Sequence, residues 1–404
     1  MAKPTAVDAA APSGTEAITA PVPRGGNAFN IWDLRDQARR RLPRGMFEYV
    51  DRGTEDEVAL ENNREAIERI KLRPRVCVDV SRVTQIVEVF GKSQRSPLII
   101  APTGAADLLW FRGELALARA AAAKRIPFTL ATSSTTAIEA AAEAAQGRLW
   151  LQMYLWDDRA LSYELLERAK AAGVETLVLT VDTPVLANRE FNQRNGFTNP
   201  FRMNSRIAAD LFSHPRWLAG VMLRYLASGG MPRFVNYPDS YRGKVTEGPI
   251  RLGNSASVTW GDLRELRKRW PKTLIVKGVL EVEDSLRAAE CGVDGIVVSN
   301  HGGRNLDSTI APIEALPHIA DAVGDRVTVL FDSGIRRGSD VVKALALGAK
   351  SVLIGRATLY GLASGGEVGV LRALTILQEE IDRTLAFLGV CNVGELSRSM
   401  IRLP

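Results

Sequence analysis

Eight short apolar runs, each rich in Val, Ile, Leu or Phe and each ending in polar or glycine-bearing residues, recur along most of this chain. In order they are PLIIAPTG from Pro97, PFTLATS from Pro127, LWLQMY from Leu149, TLVLTVD from Thr176, TLIVKG from Thr273, GIVVSNHGG from Gly295, VTVLFDSG from Val327 and SVLIGR from Ser351. Between most of them lie good helix formers with alanine-rich faces, among them GELALARAAAAKR, DRALSYELLERAKAAG, DSLRAAECG and SDVVKALALGA, and several finish at glycine. Eight such strand-and-helix units predict an α/β fold, a (β/α)8 TIM barrel. An open doubly wound sheet is the competing arrangement. It would carry GxGxxG after its first strand, where this chain has APTGAAD.

The rhythm differs at the front and in the middle. IWDLRDQARRRL, from Ile31, has apolar residues at helical spacing until Pro43 and Gly45 stop it; MFEYVDRG and then Glu57 to Ile70 read as two more helices. The barrel therefore has an N-terminal helical extension. Residues 1–28 are rich in Ala, Pro, Thr and Gly and read as a mobile tail, which leaves 29–404 as the barrel unit. Between the fourth and fifth runs, residues 184–272 form a long insertion.

Composition removes some function classes. A net charge of +6 over 404 residues is modest, and with no zinc-finger spacing or basic-aromatic stripe it does not indicate a nucleic-acid partner. Cys77, Cys291 and Cys391 are far apart and without CxxC or Cys-His spacing, so no disulfide framework and no metal site is expected. No run is long enough for a transmembrane helix. The cytoplasm is the simplest compartment, with contact to a membrane surface still open.

In a barrel the C-terminal ends of all strands converge on one mouth, where active sites sit. Here those ends present Gly104, Thr132 and Ser133, Gln152 and Tyr154, Thr180 and Asp182, Lys277, Ser299 with His301 and Arg304, Asp332 with Gly334 and Arg336, then Gly355 and Arg356. His301 is one of three histidines, beside His214 and His318. A neutral imidazole there can take a proton near neutral pH, Arg304 offers a planar fork suited to a carboxylate, and Gly302 and Gly303 allow a sharp turn between them. Taken alone, the loop reads equally well as a strand end with an arginine in a surface ion pair. Likewise Tyr49, in the second helix, reads by itself as a core aromatic. FDSGIRRGSD and LIGRAT place glycines and arginines after the seventh and eighth strands, the pattern of a barrel phosphate site with a helix N-terminus facing the anion. A phosphate-bearing cofactor or substrate is expected.

Together APTG, LTVDTP, VKGV, SNHGGRNLD and DSGIRRGSDVVKALALGA resemble, in order and from about Ile31 onward, the motifs of the FMN-dependent (S)-2-hydroxy-acid dehydrogenase and oxidase family, and most of all its mandelate-oxidising branch. The resemblance implies that His301 takes the substrate hydroxyl proton and Asp182 stabilises the resulting imidazolium. It makes Tyr49 and Arg304 holders of the carboxylate, with Arg189 a further basic group, and Tyr154 a partner of the hydroxyl or nascent carbonyl. For FMN it implies that backbone at Pro102, Thr103 and Gly104 faces the flavin, with Gln152 and Thr180 bonding the ring and Thr132 and Ser299 in the same set. Lys277 lies at the N1/O2 edge, where a fixed ammonium stabilises developing charge. Asp332 contacts the ribityl chain, and Gly334, Arg336, Gly355 and Arg356 the phosphate. A homo-oligomer, a tetramer, is common among such relatives.

Some positions depart from that pattern. Asn305 stands where the family usually has glutamine, and Ala131 where a flavin-contacting serine is frequent. Ser133 replaces the tryptophan of short-chain oxidases and should leave room for a bulky or aromatic substituent. Gly104, where many oxidases have alanine, tilts the reading toward a dehydrogenase. The insertion carries Arg202, Arg206, Arg216, Arg224, Arg233 and Arg242 among Phe201, Leu211, Phe212, Trp217, Leu218, Val221, Met222, Leu223 and Tyr225. Such a segment either lies in a membrane interface or covers the barrel mouth with its arginines in water. HPRW and GGMP within it resemble the membrane-binding insertion of the mandelate-oxidising branch.

The leading expectation is oxidation of an aromatic or bulky (S)-2-hydroxy acid to the 2-oxo acid, with electrons passed to a membrane quinone by a protein peripheral to the inner face of the cytoplasmic membrane. A second is an oxidase that uses oxygen and yields hydrogen peroxide. A third, of another class, is a barrel that binds a phosphate ligand at a membrane without redox turnover.

Overall fold

A computed structural model describes residues 27–196, 205–245 and 255–403. Nearly all of the expected tail, and Phe201 and Arg202 of the insertion, lie outside the described residues. Ala28, assigned to the tail by its composition, is fully buried and its carbonyl accepts two bonds from Arg372, at 2.9 and 3.0 Å, so the folded unit includes it.

The eight apolar runs become eight parallel strands: β1 (Leu98–Ile100), β2 (Phe128–Leu130), β3 (Leu149–Met153), β4 (Thr176–Thr180), β5 (Thr273–Val279), β6 (Gly295–Val298), β7 (Thr328–Phe331) and β8 (Ser351–Ile354). Each pairs with the next, and β8 returns to β1 through Val352 opposite Leu98 and Ile354 opposite Ile100, which closes the barrel and rules out the open sheet. Strands buried on both faces read as continuous apolar runs, and the side-chain alternation divides them into two cores. Ile99, Trp150, Val178, Ile275, Val297, Leu330 and Leu353 fill the interior. Their neighbours along the strands, such as Leu98 and Ile100 or Leu177 and Leu179, pack with the surrounding helices instead.

An antiparallel hairpin, Val87–Val89 with Lys92–Gln94, closes the N-terminal end. Its Val89 joins the interior cluster and its Phe90 ring lies 5.9 Å from that of Trp150.

The N-terminal extension forms α1 (Ile31–Arg41), α2 (Arg44–Asp51) and α3 (Val58–Arg69). Asn30 caps α1 by accepting from Asp33 N, and Ile31, Leu34 and Ala38 bury its apolar face. α3 hangs from the loop after β6, because the Asp307 carboxylate accepts from Asp56 N and Ala59 N, each at 3.1 Å.

Residues 184–272 prove to be two things. Their last helix, Trp260–Arg269, starts with a capping box of Thr259 and Asp262, buries Leu263 and Leu266 and leads straight into β5. It is the barrel's own helix between β4 and β5, so the inserted part ends before it. Within the insertion, Trp217, Val221 and Tyr225 form one buried stripe. Trp217 Nε1 donates to Leu108 O and Tyr225 Oη accepts from Arg112 N, both at 2.8 Å. Phe212, Leu223 and Leu226, by contrast, are exposed.

Candidate active site

His301 follows β6 by three residues in a left-handed conformation (φ 59°). Its backbone N–H donates to Ser299 Oγ at 3.0 Å, and the preceding Asn300 is locked to Asn63 of α3 by two reciprocal amide bonds of 2.7 and 2.9 Å. The ring is therefore aimed before any side-chain contact is made. Nδ1 then meets Asp182 Oδ1 at 2.9 Å. Burial works to raise the Asp182 carboxyl, but His301 and Lys277 outweigh it and hold the group below the usual carboxylate range.

This meeting depends on a residue the sequence reading passed over. The pairing of β5 with β6 shifts register between Lys277 and Val279, and Gly278 at that bulge has φ 103°. A Cβ on Gly278 would lie 2.5 Å from Asp182 Cβ and Cγ, so only glycine lets the carboxylate stand there. A lone glycine inside a strand pattern was the available signal.

Arg304, on the same loop as His301, uses Nη1 to donate to Tyr49 O at 2.9 Å and Arg52 O at 3.0 Å, and its guanidinium lies 5.3 Å from the Tyr49 ring. Arg189 Nε donates to Arg304 O at 3.2 Å. Among the described residues no carboxylate pairs with Arg304 or Arg189. Burial first, and then the charges of Arg189 and Arg356, push the Arg304 guanidinium well down. Tyr154 shares the cavity; burial, reinforced by Asp182, pushes its phenol up to about 12. Asn305, the shorter amide, still reaches Asp182 O at 2.7 Å and Thr183 Oγ1 at 2.9 Å.

The cavity is also lined by Pro102, Thr103, Gly104, Ala131, Ser133, Gln152, Thr180, Lys277, Asp332, Gly334, Arg336, Gly355 and Arg356. Gln152 Nε2, Thr180 Oγ1 and Arg336 Nε are buried there without a protein partner. Lys277 Nζ lies 2.9 Å from Asp332 Oδ2 and donates to Ser299 Oγ at 2.8 Å. Its burial works against the charge, yet Asp332 and Asp182 keep the ammonium above its usual value.

Three expectations change. Thr132 and Ser299 do not line the cavity but stand behind it. Thr132 donates through its N–H and Oγ1 to Gln152 and so orients that amide, while Ser299 receives Lys277 and His301. The N-terminus of helix Gly338–Ala346 is not open to an anion, since Asp340 and Glu380 already accept from Arg336, Arg337 and Gly338 N–H groups. The helix that starts in the cavity begins at Arg356, with Gly355 before it and no side chain capping it, and breaks at Gly365 and Gly366. Arg356 spends much of its guanidinium on the carbonyls of Val50, Gly302 and Arg52, at 2.8 to 3.1 Å, which ties α2 to the His301 loop.

A closed parallel barrel with a histidine-carboxylate pair, guanidinium groups that no described carboxylate pairs and a lysine at one mouth defines a class, and comparison with known proteins agrees. The pattern of the family described as FMN-dependent dehydrogenase matches residues 38–403. The chain is 43% identical to (S)-mandelate dehydrogenase of Pseudomonas putida, over 92% of this chain and 93% of that protein. It is 41% identical to an L-lactate dehydrogenase of Azorhizobium caulinodans, over 92% of this chain and 98% of that one. Among solved structures, a monotopic membrane protein (S)-mandelate dehydrogenase superposes with a TM-score of 0.88 at 42% identity, covering 94% of this chain and all of that chain (100%). A mandelate oxidase variant superposes at 0.78 and 34%, covering 93% of this chain and 99% of that one. The chain belongs to the FMN-dependent dehydrogenase family. It is an oxidoreductase of the FMN-dependent 2-hydroxy-acid dehydrogenase type, which sets aside the non-redox barrel.

Proposed function

We propose that this chain oxidises an (S)-2-hydroxy acid with an aromatic or bulky side chain, of the mandelate kind, and passes the electrons to a quinone at a membrane. The observation that carries the reading is one cavity holding His301, fixed through Nδ1 by Asp182, together with two guanidinium groups that no described carboxylate pairs. A partly buried cation without a counter-ion is costly, so the cavity favours an anion from outside.

The cofactor side fits FMN, because the orphaned Gln152 Nε2, Thr180 Oγ1 and Arg336 Nε ask for partners that a flavin ring and a phosphate provide. Gln152, Thr180 and Lys277 would hold the ring, Asp332 the ribityl chain, and Gly334, Arg336, Gly355 and Arg356 the phosphate end. Bound FMN supplies the acceptor for the electron pair that leaves the substrate Cα. The chain does the rest. Arg304 and Arg189, with Tyr49, bind the carboxylate and fix which face of Cα is presented. Tyr154 stays protonated at neutral pH and donates to the oxygen that becomes the carbonyl. His301 takes the hydroxyl proton on Nε2, the ring nitrogen that Asp182 leaves over, and the buried carboxylate stabilises the imidazolium. Lys277 provides fixed positive charge where negative charge develops.

Room for a bulky side chain comes from two small residues that face each other. A Cβ on Gly104 would be 3.7 Å from Ser133 Oγ and 3.5 Å from Tyr49 Oη. For the membrane, the exposed Phe212, Leu223 and Leu226 lie among the exposed Arg216 and Arg224, as in an interfacial helix. No helix among the described residues is long and apolar enough to cross a bilayer. The relative described as a monotopic membrane protein supports peripheral attachment. The tetramer and the inner face of the cytoplasmic membrane are carried over from the resemblance.

The test is an anaerobic visible spectrum of the flavin during addition of (S)-mandelate, glycolate and lactate in turn, followed by a quinone analogue or oxygen. Mandelate should bleach the flavin with the highest kcat/KM and the quinone analogue should restore it. Faster reduction by glycolate overturns the substrate, and reoxidation by oxygen at the turnover rate makes the protein an oxidase that releases hydrogen peroxide.

A further inference from the structure

Two carboxyl groups that no step above uses are buried where the loops after β1 and β2 meet. Asp107 is 4% and Glu114 2% exposed. Asp107 follows Gly104 by three residues, and Glu114 opens the helix Gly113–Ala123. Glu114 Oε2 accepts from Ser134 Oγ and, at 2.8 Å, from Thr136 N. Asp107 Oδ2 accepts from Thr135 Oγ1 at 2.6 Å, and its Oδ1 from Glu114 N at 3.0 Å. Ser134, Thr135 and Thr136 follow directly on Ser133. The carboxyl groups thus stitch the loop that carries Gly104 to the loop that carries Ser133.

The insertion grips the same loops from outside. Trp217 Nε1 donates to the carbonyl of Leu108, beside Asp107, at 2.8 Å. Asn236 donates to Thr136 O at 2.8 Å and accepts from Ile138 N at 3.2 Å. The segment from Ser134 to Ile138 is therefore fixed on both sides, and Ser133 projects from it into the cavity.

An apolar pair would fill this junction without the cost of burying two acids. It would not supply directed bonds to three successive residues behind Ser133. We propose that Glu114, assisted by Asp107, is a positioning residue for substrate selection: it sets the depth of the Ser133 wall and so the size of side chain the cavity admits. This rests on the reading of Ser133 as the wall that faces the substrate's side chain. Burial, reinforced by Asp107, pushes Glu114 up to about 8, and burial pushes Asp107 up as well. Tyr225 and Arg112 are the other ionisable groups at the junction; burial first, and then the two acids, push the Tyr225 phenol up, while Arg112 works against them. A glutamine, neutral and of the same shape, is then a fair replacement for Glu114.

The experiment uses the full-length, FMN-loaded protein and its Glu114→Gln and Glu114→Leu variants, with kcat and KM measured for (S)-mandelate and (S)-lactate. Glu114→Gln is expected to keep the mandelate-to-lactate ratio of kcat/KM within about twofold, whereas Glu114→Leu should change it by about tenfold or more, the scale on which pocket shape discriminates side chains. The change should come through the KM for mandelate, with flavin reduction by lactate nearly unchanged. A Glu114→Leu enzyme with the wild-type ratio overturns the proposal, as does an equal loss for both substrates. Should Glu114→Leu fail to fold, Ser134→Ala removes one tie while leaving the acid in place, and an unchanged ratio there overturns it too. A wild type that prefers lactate sinks the mandelate reading alone, because the wall's positioning is still read from the shift in that ratio.

Discussion

Replacing Gly278 by alanine adds one methyl group that touches neither substrate nor imidazole, yet it should disable the His301–Asp182 pair. The new Cβ would stand 2.5 Å from Asp182 Cβ and Cγ and 2.8 Å from Oδ2. Carbon atoms rest at about 3.5 Å, so the carboxylate must retreat by roughly 1 Å along that contact. The present 2.9 Å bond to Nδ1 then opens beyond hydrogen-bonding range. A hydrogen bond to a charged group is worth about 1.5–3 kcal/mol, and 1.36 kcal/mol is tenfold in rate, which gives roughly 10- to 150-fold. A misplacement of about 1 Å costs on the order of 100-fold by an independent route. Both point to a flavin-reduction rate about 100-fold lower. The left-handed backbone, φ 103°, adds strain of about 1–2 kcal/mol for a residue with a Cβ, so some thermal stability is lost as well. Anaerobic stopped-flow reduction by saturating (S)-mandelate, at matched FMN content, measures the effect. Reduction within threefold of wild type would refute the claim that Asp182 sets the imidazole.

Other expectations are briefer. His301→Gln should retain FMN and lose reduction by substrate; brisk bleaching in that variant rules out His301 as the base. Arg304→Lys gives up the planar fork, so the KM for the hydroxy acid should rise about 10- to 100-fold, in line with a charged hydrogen bond, and an unchanged KM removes Arg304 from carboxylate binding. Ser133→Trp should move the preference from mandelate toward glycolate, read from kcat/KM for each. The pH dependence of stability has two opposite parts. Asp182, held low, contributes stability that is present above the unfolded value of about 3.9 and is lost as pH falls through its folded value. Glu114, held up at about 8, contributes stability that is present below its unfolded value and is lost as pH rises toward 8. Glu114→Gln should therefore flatten the Tm profile between about pH 5 and 8; a profile that superimposes on wild type contradicts the raised carboxyl.

The strands were legible because burial on both faces leaves continuous apolar runs, and the mouth was legible because each run ends in its own functional group. Periodicity says where an element stops, not which way its last side chain turns. Thr132 and Ser299 were therefore grouped with cofactor contacts although they brace Gln152 and Lys277 from behind. The same limit hid the carboxylates that fill the start of helix Gly338–Ala346, since Glu380 arrives from a distant helix. Residues 184–272 ran together because the loop chemistry before Thr259 masks the start of the helix before β5. Gly278 was visible as a glycine in a strand, but its partner Asp182 lies on another strand, and no local pattern joins them.

The packed hairpin beneath the barrel, with Phe90 against Trp150, plugs the end away from the cavity. Leu186, almost fully open to water, lines the cavity together with Arg189, so it stands on an approach from solvent to the carboxylate site proposed above. A side chain that narrows this approach should slow product escape along with substrate entry, and so be felt in turnover even when the chemistry behind it is untouched.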